Sequence, residues 1–391
     1  MAHTVYNMSE FQKQFEEVQD LLKFEDYGLV IKRIIDFTLD TESVAYYKKT
    51  SDLLDWYDTN QENKAEVREK FAESLAELHA FLSVLPFSPR KNIFDAKSVI
   101  KQYSPSSFAL GPVSLTLNEG DIIGLVGENG NGKTTLLRLL CGELYATSGS
   151  VYYNFHYDDL YDLRTKLVYI PQRTDTWRGP MFENLVFTAS SYGYLPSEIH
   201  LIVDLTIARL GLRKYRKHSW KDLSSGYKMR FELARMLLRK PKVLLIDEPL
   251  ANLDIIAQQT VLEDFRAIAK SAFRPIGIVL SSQQLYEVEK ASDQVIFLKQ
   301  GIQKNLRESA ISENVDTHLV IEFESSWTQS KLNEAFQSMD LLSLQFNGGT
   351  YIATFSGNKT VSDFMKFAVD YQIDISYFRN ISNSTRRFFV S

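Results

Sequence analysis

One short stretch limits what this chain can fold into: GLVGENGNGKTTLLRLLCG, which runs from Gly124 to Gly142. Gly127, Gly130 and Gly132 lie just before a single cation, Lys133. Glycine in a turn costs backbone entropy, so a loop with this many glycines indicates that its backbone approaches a ligand closely. Backbone N–H groups in such a loop, followed by a helix N-terminus, are suited to bind phosphate.

The sequence on either side of this loop predicts a strand and a helix. The apolar run DIIGLV upstream is typical of a buried strand, and TTLLRLLCGEL downstream has leucines at helical spacing. The loop itself matches the phosphate-binding pattern G-x-x-x-x-G-K-[ST]. The residues expected to surround the phosphates of ATP are Gly127, Glu128, Asn129, Gly130, Asn131 and Gly132.

Three side chains at the start of the predicted helix complete this P-loop. We expect Lys133 to reach the β- and γ-phosphates, and Thr134 to give its hydroxyl to Mg²⁺. Thr135 is expected to contact the α-phosphate. The alternative, a glycine-rich turn that matches by chance, is disfavoured by the flanking strand and helix.

A second motif carries acidic residues. KVLLIDEP, residues 242–249, predicts a buried parallel strand that ends at Asp247, where sites open in α/β folds. We expect Asp247 to hold Mg²⁺ and Glu248 to orient the water that attacks the γ-phosphate. The alternative is that both acids cap the next helix.

A third motif predicts a second phosphate-binding helix end. Ser224, Ser225 and Gly226 come just before an amphipathic helix. One nucleotide does not need two such helix ends from a single chain. We therefore expect a second copy of the chain, with each helix end completing the nucleotide site of its partner.

The 391 residues divide into three blocks. Residues 1–95 have apolar residues at helical spacing, with an N-cap expected at Ser9, and predict an all-α bundle. In residues 96–304 short strands alternate with helices, which predicts an α/β domain. Residues 305–391 predict the order βαββαβ, including a hairpin with an Asn-Gly turn, which fits a ferredoxin-like α+β fold.

Composition narrows the partners and the compartment. A net charge of −5 argues against a nucleic-acid partner. The only cysteine, Cys141, lies in the apolar helix after the P-loop, which favours a packing role and a reducing compartment. No run approaches the ~18 apolar residues of a membrane helix, and the N-terminal stretch lacks a signal-peptide pattern. We expect a cytoplasmic chain.

Together these motifs resemble the ATP-binding subunit of ATP-binding cassette (ABC) proteins, over about residues 98–303. GENGNGKTT resembles the Walker A loop, YIPQ the Q-loop, LSSGYKMR the family signature, VLLIDEP Walker B and LANLD the D-loop. The signature departs from the family pattern at Ser225, where glycine is usual, and at Tyr227, where glutamine is common. The resemblance implies a P-loop NTPase fold with a helical signature subdomain.

The resemblance also implies roles for single residues. Gln172 of the Q-loop is expected near Mg²⁺ and the attacking water, and Asp254 of the D-loop near the nucleotide. Tyr103 lies where the family stacks an aromatic ring on adenine, with Phe108 as the competing candidate. The family usually carries a histidine that contacts the γ-phosphate, but here Gln283 stands at that position. Glutamine donates a hydrogen bond but carries no charge.

Two classes of function follow from the resemblance. In the first, the chain hydrolyses ATP in a head-to-tail dimer and drives a transmembrane permease on a separate chain, at the inner face of the cell membrane. In the second, it is a soluble ABC ATPase that acts as a regulatory or remodelling factor. The single cassette and the short gap between Gln172 and Leu223 favour the transporter, and the signature region looks most like bacterial export-type cassettes.

The missing histidine leads to a first testable prediction. Hydrogen bonds from charged donors exceed those from neutral donors by up to roughly 2 kcal/mol, a rate factor of about 10 to 30. Gln283→His should therefore raise kcat, and Gln283→Ala should lower it, in steady-state ATPase assays with folding checked by thermal melts. Gln284→Ala is the control. A wild-type rate for Gln283→Ala would mean that Gln283 only caps the following helix.

Overall fold

The computed structural model describes residues 2–86, 89–104, 108–283, 285–304, 318–347, 349–356 and 359–382. The chain divides into two compact units, residues 1–283 with 291–302 and residues 284–290 with 303–391. The helices are α1 (Ala2–Lys23), α2 (Tyr27–Asp40), α3 (Val44–Asn60), α4 (Lys64–Leu82), α5 (Lys133–Leu140), α6 (Leu160–Lys166), α7 (Met181–Ser191), α8 (Ile199–Arg209), α9 (Ser225–Leu237), α10 (Ile255–Ala269), α11 (Leu285–Ala291), α12 (Gln329–Phe336) and α13 (Val361–Asp370).

The strands are β1 (Asn92–Gln102), β2 (Ala109–Asn118), β3 (Ile122–Val126), β4 (Ser148–Tyr153), β5 (Leu167–Ile170), β6 (Val243–Ile246), β7 (Gly277–Ser282), β8 (Gln294–Lys299), β9 (Ile302–Lys304), β10 (Leu319–Glu324), β11 (Leu341–Asn347), β12 (Thr350–Phe355) and β13 (Tyr377–Asn380). Within the part of the chain that the structure describes, none of the helices is both long and apolar enough to span a membrane.

The first unit begins with four helices. The predicted N-cap at Ser9 is wrong, because α1 already begins at Ala2 and Ser9 lies inside it. The residues before Ser9 include no proline or glycine, so nothing in them stops a helix. Helix α2 begins after Asp26, whose Oδ1 accepts a hydrogen bond of 3.1 Å from the Leu29 backbone N–H. Its apolar side chains at Ile34 and Ile35 are fully buried.

Buried charges join these helices to the rest of the first unit. Arg209, at the end of α8, is only 4% exposed. Its Nε donates to Asp36 Oδ1 of α2 at 2.6 Å, and its Nη1 donates to Asp264 Oδ1 of α10 at 2.7 Å. Lys32 Nζ of α2 reaches the same Asp264 oxygen at 3.2 Å. One guanidinium thus binds carboxylates from the N-terminal helices and from the α/β part.

A largely parallel sheet forms the centre of the α/β part, in the order β5-β6-β7-β3-β8-β9. Strands β3, β6 and β7 are buried along their whole length, as expected for apolar strands covered on both faces. Ile246 pairs with Leu280, and Val126 pairs with Ser282. This register brings the carboxyl ends of the three strands to one edge of the sheet.

Two further groups of elements complete the first unit. An antiparallel sheet in the order β2-β1-β4 shares a buried core with β3 and α5. Helices α7, α8 and α9 pack against one another. Cys141 is buried at the end of α5, where burial raises the pKa of its thiol to about 11 and keeps it protonated.

The second unit has its own core. Between residues 318 and 382 of this unit, the strands and α-helices follow one another as strand, helix, strand, strand, helix and strand. The four strands form an antiparallel sheet in the order β11-β12-β10-β13. The fully buried rings of Phe323, Phe336, Phe355 and Phe364 pack together against this sheet. Gly348 of the predicted hairpin turn lies outside the described residues.

The buried guanidinium generates a stability prediction. Arg209→Ala leaves Asp36 and the almost fully buried Asp264 without their main counter-charge, which should lower the free energy of unfolding by about 3–5 kcal/mol. Arg33→Ala is the matched control, because Arg33 contacts the same Asp36 at 3.4 Å but is 40% exposed. Urea unfolding measures both, and equal losses for the two variants would contradict the prediction.

Candidate functional site

The loop between β3 and α5 favours glycine at three positions. A Cβ atom at Gly127 would lie 2.4 Å from the backbone oxygen of Leu298, closer than two non-bonded atoms approach each other. Gly132 is the N-cap of α5 and has a φ of 92°, a left-handed conformation that favours glycine. Gly130 has a φ of 82° and no atom within 4 Å of where its Cβ would be. A ligand could therefore approach the backbone of this loop closely.

Lys133 lies folded over this loop. The side chain is only 6% exposed, and its Nζ donates to the backbone oxygen of Gly127 at 2.6 Å and to that of Glu128 at 3.3 Å. The same Nζ is 3.1 Å from Glu248 Oε1. The cation of the loop and the second acid after β6 thus form a buried ion pair.

The carboxylate of Asp247 accepts hydrogen bonds from three hydroxyl groups. Thr134 Oγ1 donates to its Oδ2 at 2.6 Å, and Ser281 Oγ donates to its Oδ1 at 2.6 Å. Tyr169 donates its hydroxyl to Oδ2 at 3.3 Å. Burial, together with the negative charge of Asp247, raises the pKa of Tyr169, so this hydroxyl stays protonated. Asp247 itself is 5% exposed.

Ser281 connects the two acids that follow β6. Besides donating to Asp247, its hydroxyl accepts a hydrogen bond of 2.9 Å from the backbone N–H of Glu248. Glu248 has a φ of 50°, a conformation that surrounding contacts must maintain in a residue with a side chain. The backbone N–H of Gln283 donates to Glu248 Oε2 at 3.3 Å, while the Gln283 side chain is exposed.

A second group lies at the N-termini of α9 and α10. Ser225 Oγ donates to the backbone oxygen of Asn252 at 2.8 Å. A Cβ at Gly226 would lie 3.4 Å from the Cβ of Ala257, so the two helices pack closely there. Asp254 is the N-cap of α10, and its Oδ1 accepts from the Ala257 N–H at 2.9 Å.

The other predicted site residues line exposed loops. Ser224 is the exposed N-cap of α9, and Gln172 is exposed shortly after β5. Tyr103 is 61% exposed, and Lys101 Nζ lies 5.3 Å above its ring. Phe108, the competing aromatic, lies beside the P-loop, since its Cζ would be 3.3 Å from a Cβ at Gly132.

Four further predicted site residues have fewer contacts to describe. Glu128 and Asn129 are exposed, and Thr135 is half-buried at the start of α5. Asn131 Oδ1 accepts a hydrogen bond of 2.9 Å from the backbone N–H of Gln300, which ties the loop to the end of β8. Gln284, which follows Gln283, lies outside the described residues.

Ser281 and Tyr169 were not predicted as site residues. Both contact Asp247, and each lies on a strand next to β6 in the sheet. The signal for Ser281 was present, because a serine ends the apolar run IGIVL just as Asp247 ends the run VLLI. That the two runs are neighbours and in register is a property of the sheet.

Comparison with known proteins places these features in a family context. Residues 110–251 match the family model described as ABC transporter. The chain is 30% identical over 229 residues to the zinc import ATP-binding protein ZnuC of Rickettsia bellii, covering 58% of this chain and 91% of that protein. It is 27% identical over 230 residues to a putative export ATP-binding/permease protein of Rickettsia felis, covering 55% of this chain and 38% of that protein.

A solved structure supports the same likeness at the level of the fold. The structure of cbiO1 from Clostridium perfringens, part of the ABC transporter complex cbiONQ, superposes with a TM-score of 0.51 at 23% identity. The superposition covers 57% of this chain and 93% of that one. At this identity the likeness concerns the fold alone.

The hydroxyl that bridges the two acids generates a kinetic prediction. Ser281→Ala removes a hydrogen bond to a buried carboxylate and the acceptor of the Glu248 N–H, so kcat for ATP hydrolysis should fall roughly tenfold or more. Ser190→Ala is the matched control, because this exposed hydroxyl donates to the Val186 oxygen one turn earlier in α7. Equal ATPase rates in the two variants would exclude this role of Ser281.

Proposed function

Because the chain belongs to the ABC transporter family, whose ATPase domain binds ATP and hydrolyses it to power transport, we propose that it works as a head-to-tail dimer that drives an exporter. The permease would be a transmembrane subunit on a separate chain, and the dimer would bind to it at the inner face of the membrane. The observation that carries the proposal is the connected group of Lys133, Thr134, Asp247 and Glu248 at one edge of the sheet.

The nucleotide site follows from this group. The loop glycines leave room for the phosphates, and the N–H groups at the start of α5 point along the helix axis toward them. Lys133 is the cation that would bind the β- and γ-phosphates. Either Tyr103 or Phe108 would stack on the base, with Tyr103 the more exposed of the two rings.

The oxygen atoms around Asp247 fit Mg²⁺. Carboxylate, hydroxyl and water oxygens are the ligands that this ion prefers, and the Thr134 hydroxyl lies 2.6 Å from the Asp247 carboxylate. Gln172 would add an amide oxygen from the loop after β5. When bound, the ion would neutralise charge on the phosphates. Ser281 and Tyr169 hold the carboxylate in place through its other lone pairs.

Glu248 would position the attacking water. Binding of phosphate to Lys133 requires the Lys133–Glu248 ion pair to part, which frees the carboxylate for a water molecule. The hydrogen bonds from the Glu248 N–H to Ser281 and from the Gln283 N–H to Glu248 Oε2 would keep it aimed at the γ-phosphate. The Gln283 side chain would donate to that phosphate.

The second copy of the chain would supply the other half of each site. Ser224, Ser225 and Gly226 start a 13-residue helix whose exposed N-terminus attracts anions. Asp254 lies beside them at the start of α10, followed by the exposed apolar side chains of Ile255 and Ile256, 72% and 76% exposed. Phosphate on the partner and burial of these isoleucines both favour a dimer.

The direction of transport and the domain boundaries rest on the sequence. The relatives include both an import and an export protein by name, and the signature region favours export. We propose residues 1–95 as a helical bundle, 96–304 as the ABC domain and 305–391 as a ferredoxin-like domain. Strand β1 begins at Asn92, so the α/β part starts a few residues before the first of these boundaries. The antiparallel strand order β11-β12-β10-β13 with two helices supports the last assignment.

Dimerisation is tested with a variant that binds ATP without hydrolysing it. Glu248→Gln removes the carboxylate that positions water, so with saturating Mg-ATP it should form a lasting dimer by light scattering. The control is the double variant Lys133→Ala with Glu248→Gln, which should bind ATP weakly and remain monomeric. A monomer of Glu248→Gln at saturating ATP, at concentrations up to those used for the wild-type ATPase assay, would contradict the proposed dimer.

A further inference from the structure

The segment that follows Gln172 is anchored by a buried tryptophan. Trp177 is 7% exposed, and its ring stacks on Trp220 with 5.0 Å between ring centres and 19° between ring planes. Trp220 is also buried, and it lies shortly before Ser224, where α9 begins. The stacked pair therefore joins the segment after Gln172 to the segment that leads into α9.

A buried carboxylate on α9 holds this tryptophan. Glu232 is fully buried, and its Oε1 accepts a hydrogen bond of 2.7 Å from the Trp177 indole N–H. Arg235 lies 2.7 Å from the other oxygen of Glu232, and its guanidinium is 5.0 Å above the Trp177 ring. Burial raises the pKa of Glu232, and Arg235 opposes that rise. A carboxylate on the buried face of an amphipathic helix is costly unless it is bonded in this way.

Backbone hydrogen bonds join the same two segments. The N–H of Met181, at the start of α7, donates to the backbone oxygen of His218 at 3.2 Å. The N–H of Phe182 donates to the backbone oxygen of Arg216 at 2.9 Å. The segment from Gln172 to α7 is thus connected to the approach to α9 through main chain, stacked rings and a buried charge.

We propose that Trp177 and Glu232 are positioning residues that make the Gln172 loop and the N-terminal end of α9 move as one body. This rests on the proposed function, in which Gln172 serves the nucleotide of its own chain and the end of α9 serves that of the partner. Through the Trp177–Glu232 hydrogen bond, the position of the Gln172 loop at its own nucleotide fixes the position of the end of α9 at the partner's nucleotide.

The physical reason for this coupled movement is the low dielectric environment of the Trp177–Glu232 hydrogen bond. Because a hydrogen bond is stronger in the protein interior than in water, and a buried donor left unpaired is costly, separating Trp177 from Glu232 is costly. The loop therefore does not shift without α9. Neither residue touches the nucleotide in this proposal, so their effect is on catalysis in the assembled dimer and not on the first binding of ATP.

Conservative variants of the full-length chain separate this role from a role in folding. Trp177→Phe keeps a ring against Trp220 but removes the indole donor. Glu232→Gln keeps an oxygen that accepts from the indole while removing the charge. Trp56→Phe is the matched control, because Trp56 lies on α3 and contacts Lys70 at 4.9 Å. Steady-state ATPase kinetics give kcat and KM, calorimetry gives ATP affinity, and thermal melts give Tm.

We expect Trp177→Phe to lower kcat about tenfold, equivalent to about 1.4 kcal/mol in the barrier, with KM and ATP affinity within about twofold of wild type. Glu232→Gln should retain most of the wild-type kcat, and Trp56→Phe all of it. Wild-type kcat in Trp177→Phe would overturn the proposal. So would a kcat for Glu232→Gln as low as that of Trp177→Phe, or a loss that follows Tm and ATP affinity.

A failure of the proposed function looks different. If Lys133→Ala hydrolysed ATP as fast as wild type, the nucleotide site itself would be misassigned. If Lys133→Ala is inactive while Trp177→Phe has normal kcat, only the positioning role fails.

Discussion

The carboxylate of Asp247 is the group on which the arrangement of the site depends. It accepts hydrogen bonds from the hydroxyl groups of Thr134 on α5, Ser281 on β7 and Tyr169 on β5. It therefore connects three separate parts of the sheet edge. A buried carboxylate with fewer donors would be costly. Its hydrogen bonds fix the relative positions of the loop that would hold phosphate and the acid that would hold water.

The buried ion pair between Lys133 and Glu248 adds a second constraint. In the proposed function the two groups would have different tasks on the same nucleotide, and in this structure they neutralise each other. This ion pair neutralises two buried charges at the place where a bound phosphate would separate them. Ser281 holds the strained backbone of Glu248, and the Gln283 N–H holds one oxygen of its carboxylate.

The N-terminal helices show what a local pattern leaves open. Their apolar spacing predicts a helical bundle, and the structure has them in the same compact unit as the α/β part. Arg209 explains this, since it is buried between Asp36 of α2 and Asp264 of α10. A single charged residue on an apolar helix does not reveal its partner, because the three residues are far apart in sequence.

The sequence by itself determined the P-loop, the acids after β6 and the family, because these depend on residues close together in the chain. It also determined the order of strands and helices between residues 318 and 382 from their apolar periods. It did not find Ser281, Tyr169 or the Trp177–Glu232 bond. Those depend on which strands are neighbours and which helix faces which loop. Only the tertiary structure decides this, because pairing and packing join residues that the sequence keeps far apart.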